Sequence, residues 1–143
     1  MSFRNNKQNR NSKIIKKKAG LGQQLALDLC GKGASVILVA RRLALLESTK
    51  EKCLQRGGTA EVFVADMNST DSINVLIKSV TGNIDVLLLN HGVGSAKRFV
   101  DLTPQDLDSA EVLFRINLFS YMRLVKGFLD RLNRGGRYIS FLP

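Results

Sequence analysis

The residues best suited to chemistry in this chain are those that could grip a phosphorylated ligand. Gly20-Leu21-Gly22 stands where an apolar pattern of helical period begins. Glycines there let a phosphate approach backbone N–H groups at a helix N-terminus, where the dipole favours an anion. A plain glycine turn before a helix is the alternative. Arg41-Arg42 follows the next apolar run, about twenty residues on, where nucleotide folds discriminate the ribose 2′ position. A carboxylate would bind a 2′-hydroxyl there, whereas arginine accommodates a 2′-phosphate. Two arginines and no acid favour NADP(H) over NAD(H), against the alternative of a solvated surface pair. Asp66 and Asn90-His91-Gly92 each close a further apolar run. His91 is the only histidine, so the sequence holds no His-based triad and no histidine metal cluster.

These segments need elements to bring them together, and the periodicity supplies a plan. Gly20 to Lys32 reads as a helix, with Leu21, Leu25, Ala26 and Leu29 at helical spacing and Gly31 and Gly33 to stop it. Val36 to Ala40 is a continuous apolar run, as in a strand buried on both faces. Leu43 to Gln55 is helical, with Leu46, Lys50, Cys53 and Leu54 placed for one face, and Gly57-Gly58 ends it. Thr59 to Ala65 reads as a strand, Thr70 to Val80 as a helix capped by Ser69 or Thr70, and Ile84 to Leu89 as a buried strand. Thr103 to Leu132 is a long helical region opened by Pro104 and broken by Gly135-Gly136, after which Tyr138 to Leu142 starts another strand. Strands alternating with helices imply an α/β fold: a Rossmann-like doubly wound parallel sheet of four to five strands, with ligands beyond the carboxyl ends of the strands. Arg41-Arg42, Asp66 and Asn90-His91-Gly92 then meet in one crevice.

Composition excludes several classes. The 44% hydrophobic and 24% charged residues are ordinary for a globular domain. No apolar run exceeds five residues, against the roughly 20 a membrane-spanning helix needs. The first residues are polar and basic, unlike a signal peptide. Cys30 and Cys53 make neither a metal spacing nor a disulfide framework. The net charge of +10 is uneven, because seven of the 22 basic residues and no acid fall within 1–18. That segment reads as a basic, disordered tail, and 19–143 as a partial nucleotide-binding domain. A basic tail can bind nucleic acid or acidic lipid, but a solvated tail without a partner is the preferred reading.

With these residues in view, the chain resembles the short-chain dehydrogenase/reductase family, over about Ala19 to Pro143, the first half of the family domain. Gly20 and Gly22 match the last two glycines of its TGxxxGxG turn, and Leu89-Asn90-His91-Gly92 its NNAG segment. Asn117 matches the helix asparagine of its catalytic tetrad. The pairing of Leu89-Asn90-His91 with Asn117-Leu118-Phe119-Ser120-Tyr121, and the segments Val39-Ala40-Arg41 and Ala65-Asp66-Met67, are most similar to the 11β-hydroxysteroid dehydrogenase branch. The resemblance implies hydride transfer between NADP(H) and a lipophilic alcohol or ketone. It implies Gly20, Leu21 and Gly22 for phosphate, Arg41 and Arg42 for the 2′-phosphate, and Asp66 and Met67 near adenine. Asn90, His91 and Gly92 fall near the nicotinamide ribose, and Asn117 is the catalytic candidate. Read without the resemblance, His91 is a loop histidine and Asn117 a polar residue that finds a partner. The family's long helix, here 103–132, commonly packs in a dimer. Phe99, Phe114, Phe119 and Phe128 are expected in the core or on that dimer face. The sequence by itself suggests a cytoplasmic protein, and the steroid branch the endoplasmic reticulum membrane.

The departures are specific. The family's first glycine falls at Lys16, and Asn9 to Lys13 is too polar for a buried first strand, so that strand is expected to be missing or degraded. Aligned with the family, the catalytic serine falls at Phe141 with Ser140 as its non-catalytic neighbour, unless the register slips by one. No Tyr-x-x-x-Lys occurs, and Tyr121 and Lys126 are five apart on the wrong helix. The family uses that tyrosine as general acid/base, so the chain is expected to be inactive. The alternatives are a non-catalytic partner of a full-length relative, anion binding through the tail, and an incomplete sequence.

Overall fold

The computed structural model describes residues 11–16, 20–94 and 97–140. Ten main elements alternate: β1 (Asn11–Lys16), α1 (Leu21–Cys30), β2 (Ser35–Ala40), α2 (Leu43–Gln55), β3 (Thr59–Val64), α3 (Thr70–Ser79), β4 (Ile84–Asn90), α4 (Pro104–Phe114), α5 (Ser120–Phe128) and β5 (Leu132–Ser140). All strand pairs are parallel, in the order β3-β2-β1-β4-β5. This is the doubly wound order, in which the chain starts at the centre and winds outward in both directions.

The two-faced burial of β2 and β4 follows from their sequences. Side chains alternate across a strand, so an unbroken apolar run supplies both faces. Val36, Leu38 and Leu88 join Ala26, Cys30, Leu46 and Cys53 in a core beneath α1 and α2. Ile37, Val39, Leu87 and Leu89 join Ile73, Leu76, Leu124 and Phe128 in a second core beneath α3 and α5. Helices therefore cover both faces of the sheet. The helix ends follow local chemistry: the Ser69 hydroxyl accepts from the Ser72 N–H at the start of α3. Thr103 and Asp106 form a reciprocal capping box at the start of α4, with Pro104 in its first turn. At the α2–β3 turn Gly58 is required by space, since a Cβ there would lie 2.6 Å from the Cα of Cys30.

Several expectations need correction. The first strand is present: β1 pairs with β2 from Asn11↔Ser35 and with β4 from Ser12↔Val86. Its ladder is made by backbone groups, which side-chain polarity does not change. The tail boundary at residue 18 therefore fails over 11–16, while residues 1–10 and 17–19 lie outside the described residues. Gly135-Gly136 does not break the chain before a strand. β5 already begins at Leu132, and its register against β4 shifts between Ile84↔Leu132 and Val86↔Arg137. The glycines lie in that irregularity, a common place for glycine in a strand. On α2 Thr49 is buried and Leu54 is exposed, because the buried stripe runs Leu46, Thr49, Cys53. Phe128 is core, whereas Phe114 and Phe119 lie outside it at 59% and 48% exposure. The side chains of Phe99 and Ser140, and the whole of Phe141, lie outside what the structure describes.

Candidate functional site

A cleft of about 730 Å³ lies beyond the carboxyl ends of β2, β3 and β4. Each strand contributes the residues that follow it. Arg41 and Arg42 come from the β2 end, Asp66 and Met67 from the β3 end, and the turn from His91 to Gly94 from the β4 end. Leu45 and Leu46 of α2 and Ile116 of the helical region give it an apolar wall. Arg41 and Arg42 are exposed, and among the described residues no carboxylate pairs with either. Two guanidiniums beside an apolar slot are a donor set that suits a phosphorylated aromatic ligand.

Asp66 is held by its neighbours. Its backbone N–H donates to the Ser72 hydroxyl at 2.9 Å, and its Oδ1 accepts from the Asn68 N–H at 3.0 Å. The turn into α3 thus fixes the carboxylate at the rim of the cleft.

The wall after β4 is secured by side chains of the long helical region. That region is not one continuous α-helix: residues Arg115–Phe119 form a π-turn between α4 and α5. Such a turn re-aims successive side chains and is frequent at functional sites. Within it Asn117 clamps one residue of the wall twice. Its Oδ1 accepts from the Val93 N–H at 2.8 Å, and its Nδ2 donates to the Val93 carbonyl at 2.6 Å. Ser120, fully buried, donates to the Ile116 carbonyl at 2.6 Å and lies 2.5 Å from Nε2 of His91. The Tyr121 hydroxyl donates to the His91 carbonyl, and the two rings meet edge to face at 4.3 Å. Burial pushes the Tyr121 hydroxyl above its ordinary range.

The structure therefore brings Arg41, Arg42, Asp66, Met67, His91 and Gly92 to one cleft. Gly20, Leu21, Gly22 and Asn90 do not line it. Gly20 precedes α1, whose N-terminus has no side-chain cap and no acid in its first turn. Its positive end therefore remains suited to an anion. Asn90 ends β4 opposite Lys16 of β1. Asn117 also stands behind the lining and acts on it through Val93, which makes it a positioning residue. His91 lines the cleft but is only 5% exposed, with Nε2 engaged by Ser120. Ser120 and Tyr121, which hold His91 from behind the cleft wall, are the neighbours of the site that the sequence reading did not single out. Their signal was the i, i+3, i+4 spacing of Asn117, Ser120 and Tyr121, which puts three hydrogen-bonding groups on one side of a helix.

Comparison with known proteins agrees with this architecture. The family model described as "short chain dehydrogenase" matches residues 14–140. A hydroxysteroid 11-beta-dehydrogenase 1-like protein of Gallus gallus is 31% identical over 81% of this chain, covering 41% of the relative. A fatty acyl-CoA reductase of Acinetobacter baylyi is 31% identical over 91% of this chain and 45% of its own length. The chain thus spans less than half the length of these relatives. Among solved structures, an alcohol dehydrogenase from the archaeon Thermococcus sibiricus complexed with 5-hydroxy-NADP superposes with a TM-score of 0.81. It is 26% identical and is matched over 92% of this chain and 57% of its own.

Proposed function

The chain belongs to the short-chain dehydrogenase family, and on that premise we propose that its cleft binds NADP(H) as the nucleotide half of an oxidoreductase for lipophilic alcohols or ketones. The observation that carries this is the placement of Arg41 and Arg42 beside an apolar slot that Asp66 and Met67 close on the β3 side. The guanidiniums bind the 2′-phosphate, and Asp66 and Met67 hold the adenine. The uncapped start of α1 after Gly20, with Leu21 and Gly22, faces the bridging phosphates. Asn90, His91 and Gly92 border the nicotinamide ribose, with the His91–Gly94 turn held by Asn117 and Tyr121. The bound nucleotide would supply hydride transfer to or from the substrate carbon. The similarity to a hydroxysteroid dehydrogenase-like protein and to an acyl-CoA reductase supports a lipophilic substrate class.

These 143 residues contain no tyrosine four positions before a lysine. Tyr121 does not serve as the acid, because its hydroxyl is buried and bonded to the His91 carbonyl. The chain by itself therefore binds nucleotide without turnover. A second reading is favoured by one surface: Phe114, Leu118, Phe119 and Met122 leave apolar area exposed along α4, the π-turn and α5. That face suits pairing with a second copy or a full-length relative. No helix among the described residues is long and apolar enough to cross a membrane.

Calorimetry with NADP+ and NAD+ tests the proposal. NADP+ should bind more tightly by about tenfold for each arginine, the scale of one exposed charge-assisted bond. Arg41→Ala combined with Arg42→Ala should remove the preference. Equal affinities in the parent chain would refute NADP(H) selection. Reduction of a ketone by NADPH with the purified chain would refute the absence of turnover.

A further inference from the structure

The two ends of the cleft differ in chemistry. Arg41 and Arg42 follow β2, while the His91–Gly94 turn follows β4, on the far side of β1. At ordinary strand spacing the two ends are roughly 10 Å apart. The β2 end recognises charge. Apart from the buried His91, the turn at the β4 end has no acidic or basic side chain, and with the Val93 N–H and C=O engaged by Asn117 and the His91 C=O by Tyr121, what it offers a ligand is largely the backbone of Gly92 and Gly94. Such groups recognise a ligand only if the turn that carries them is held in one position.

The holding network is specific. Ser120 has one hydroxyl proton, and it goes to the Ile116 carbonyl. His91 must therefore carry its hydrogen on Nε2 and donate it to the Ser120 oxygen, the assignment that this hydrogen-bond network requires. Both residues are buried, at 5% and 0% exposure, so water does not readily replace either partner. Ile116 and His91 both line the cleft. One hydroxyl group thus ties the helical wall of the cleft to the turn after β4, and Tyr121 adds a bond from the next helix position to the His91 carbonyl.

We propose that His91, Ser120 and Tyr121 form a positioning clamp that sets the β4 end of the cleft for the part of the dinucleotide beyond its 2′-phosphate end. The proposal rests on the NADP(H) reading above and adds three residues that touch one another rather than the ligand.

The test compares two probes by calorimetry: NADP+, and adenosine 2′,5′-bisphosphate, which carries only the arginine-binding end. Ser120→Ala should leave the bisphosphate affinity within about twofold of the parent and weaken NADP+ about tenfold, the scale of one buried hydrogen bond. Tyr121→Phe should split the two probes in the same direction, and it serves alone if Ser120→Ala shows no cooperative melt. Equal loss for both probes, or no loss for NADP+, overturns the clamp. If the parent chain fails to bind the bisphosphate, the nucleotide reading itself is wrong and the clamp falls with it. Bisphosphate binding with an unmoved ratio defeats the clamp alone.

Discussion

Replacing Asn117 by aspartate should convert a pH-independent clamp into one that works only in acid. The amide uses both its ends on Val93, accepting from the N–H and donating to the carbonyl. A carboxylate at the same place keeps the first bond and loses the second. It also sets a negative oxygen against the Val93 carbonyl, 2.6 Å from the present donor nitrogen. A partly buried acceptor left without its donor costs about 1–3 kcal/mol, and the repulsion adds to it. A protonated carboxyl restores both bonds, because its O–H donates where the amide nitrogen did. The native state therefore prefers the acid form, and the new aspartate should titrate well above the ordinary carboxylate range. A raised folded-state pKa means that the variant is destabilised at neutral pH. It recovers as pH falls through the folded value towards the unfolded value of about 3.9. A loss of about 2 kcal/mol corresponds to a melting point lower by roughly 6–8 °C in a domain of this length. Thermal melts of Asn117→Asp and Asn117→Ala between about pH 7 and pH 5 decide the matter. The gap to the parent should narrow for aspartate and stay constant for alanine. Parallel behaviour of the two variants would refute the two-bond geometry.

Three further outcomes are expected. Gly58→Ala should destabilise by about 3 kcal/mol, because its Cβ would meet the Cα of Cys30 at 2.6 Å and the Ala34 carbonyl at 2.9 Å, both backbone. Gly57→Ala, with a φ of +85° but open space, should lose only about 1–2 kcal/mol, and urea melts that reversed this order would be contrary to the packing argument. Burial pushes the Cys30 thiol well above its ordinary range, so iodoacetamide at mild alkaline pH should leave it unlabelled until the chain is unfolded; labelling of the native protein would contradict this. Lys97 and then Thr103 hold the Asp106 carboxyl well below the usual carboxylate range. Its contribution should be fully present above about pH 4 and fade only with further acidification. The stability gap between the parent and Asp106→Ala should thus be flat from about pH 8 to pH 5, and a gap that closes in that window would be inconsistent with the ion pair.

The fold was legible because its signals were local and strong. The runs Val36–Ala40 and Ile84–Leu89 are apolar at every position but Asp85, which only strands packed on both faces require, and α2 matches its forecast ends at Leu43 and Gln55. The ends of those strands then located the cleft. β1 was illegible for the opposite reason: its residue types argue against a central strand, while its place is set by two neighbours whose unpaired backbone edges it completes. β5 hid behind two glycines that turn out to sit in a register irregularity. In the site, Arg41, Arg42 and Asp66 were readable from their positions after strands. Ser120 was not, since a serine inside a helical pattern has no signal until the partner it meets, His91, is placed beside it by a fold that joins distant segments.

The central position of β1 also bears on how the chain folds as it is made. Ser12 pairs with Val36 on one side and with Val86 on the other, so the first partner leaves the ribosome long before the second. At about 5–20 residues per second, several seconds separate the two. Through that interval β1 is an outer strand with one open edge, the form most prone to pairing with another nascent chain. Lysine on such an edge discourages that encounter, and Lys13 and Lys16 fall within the strand. The polarity that disguises β1 as a tail thus suits a strand that must wait, half-paired, for β4.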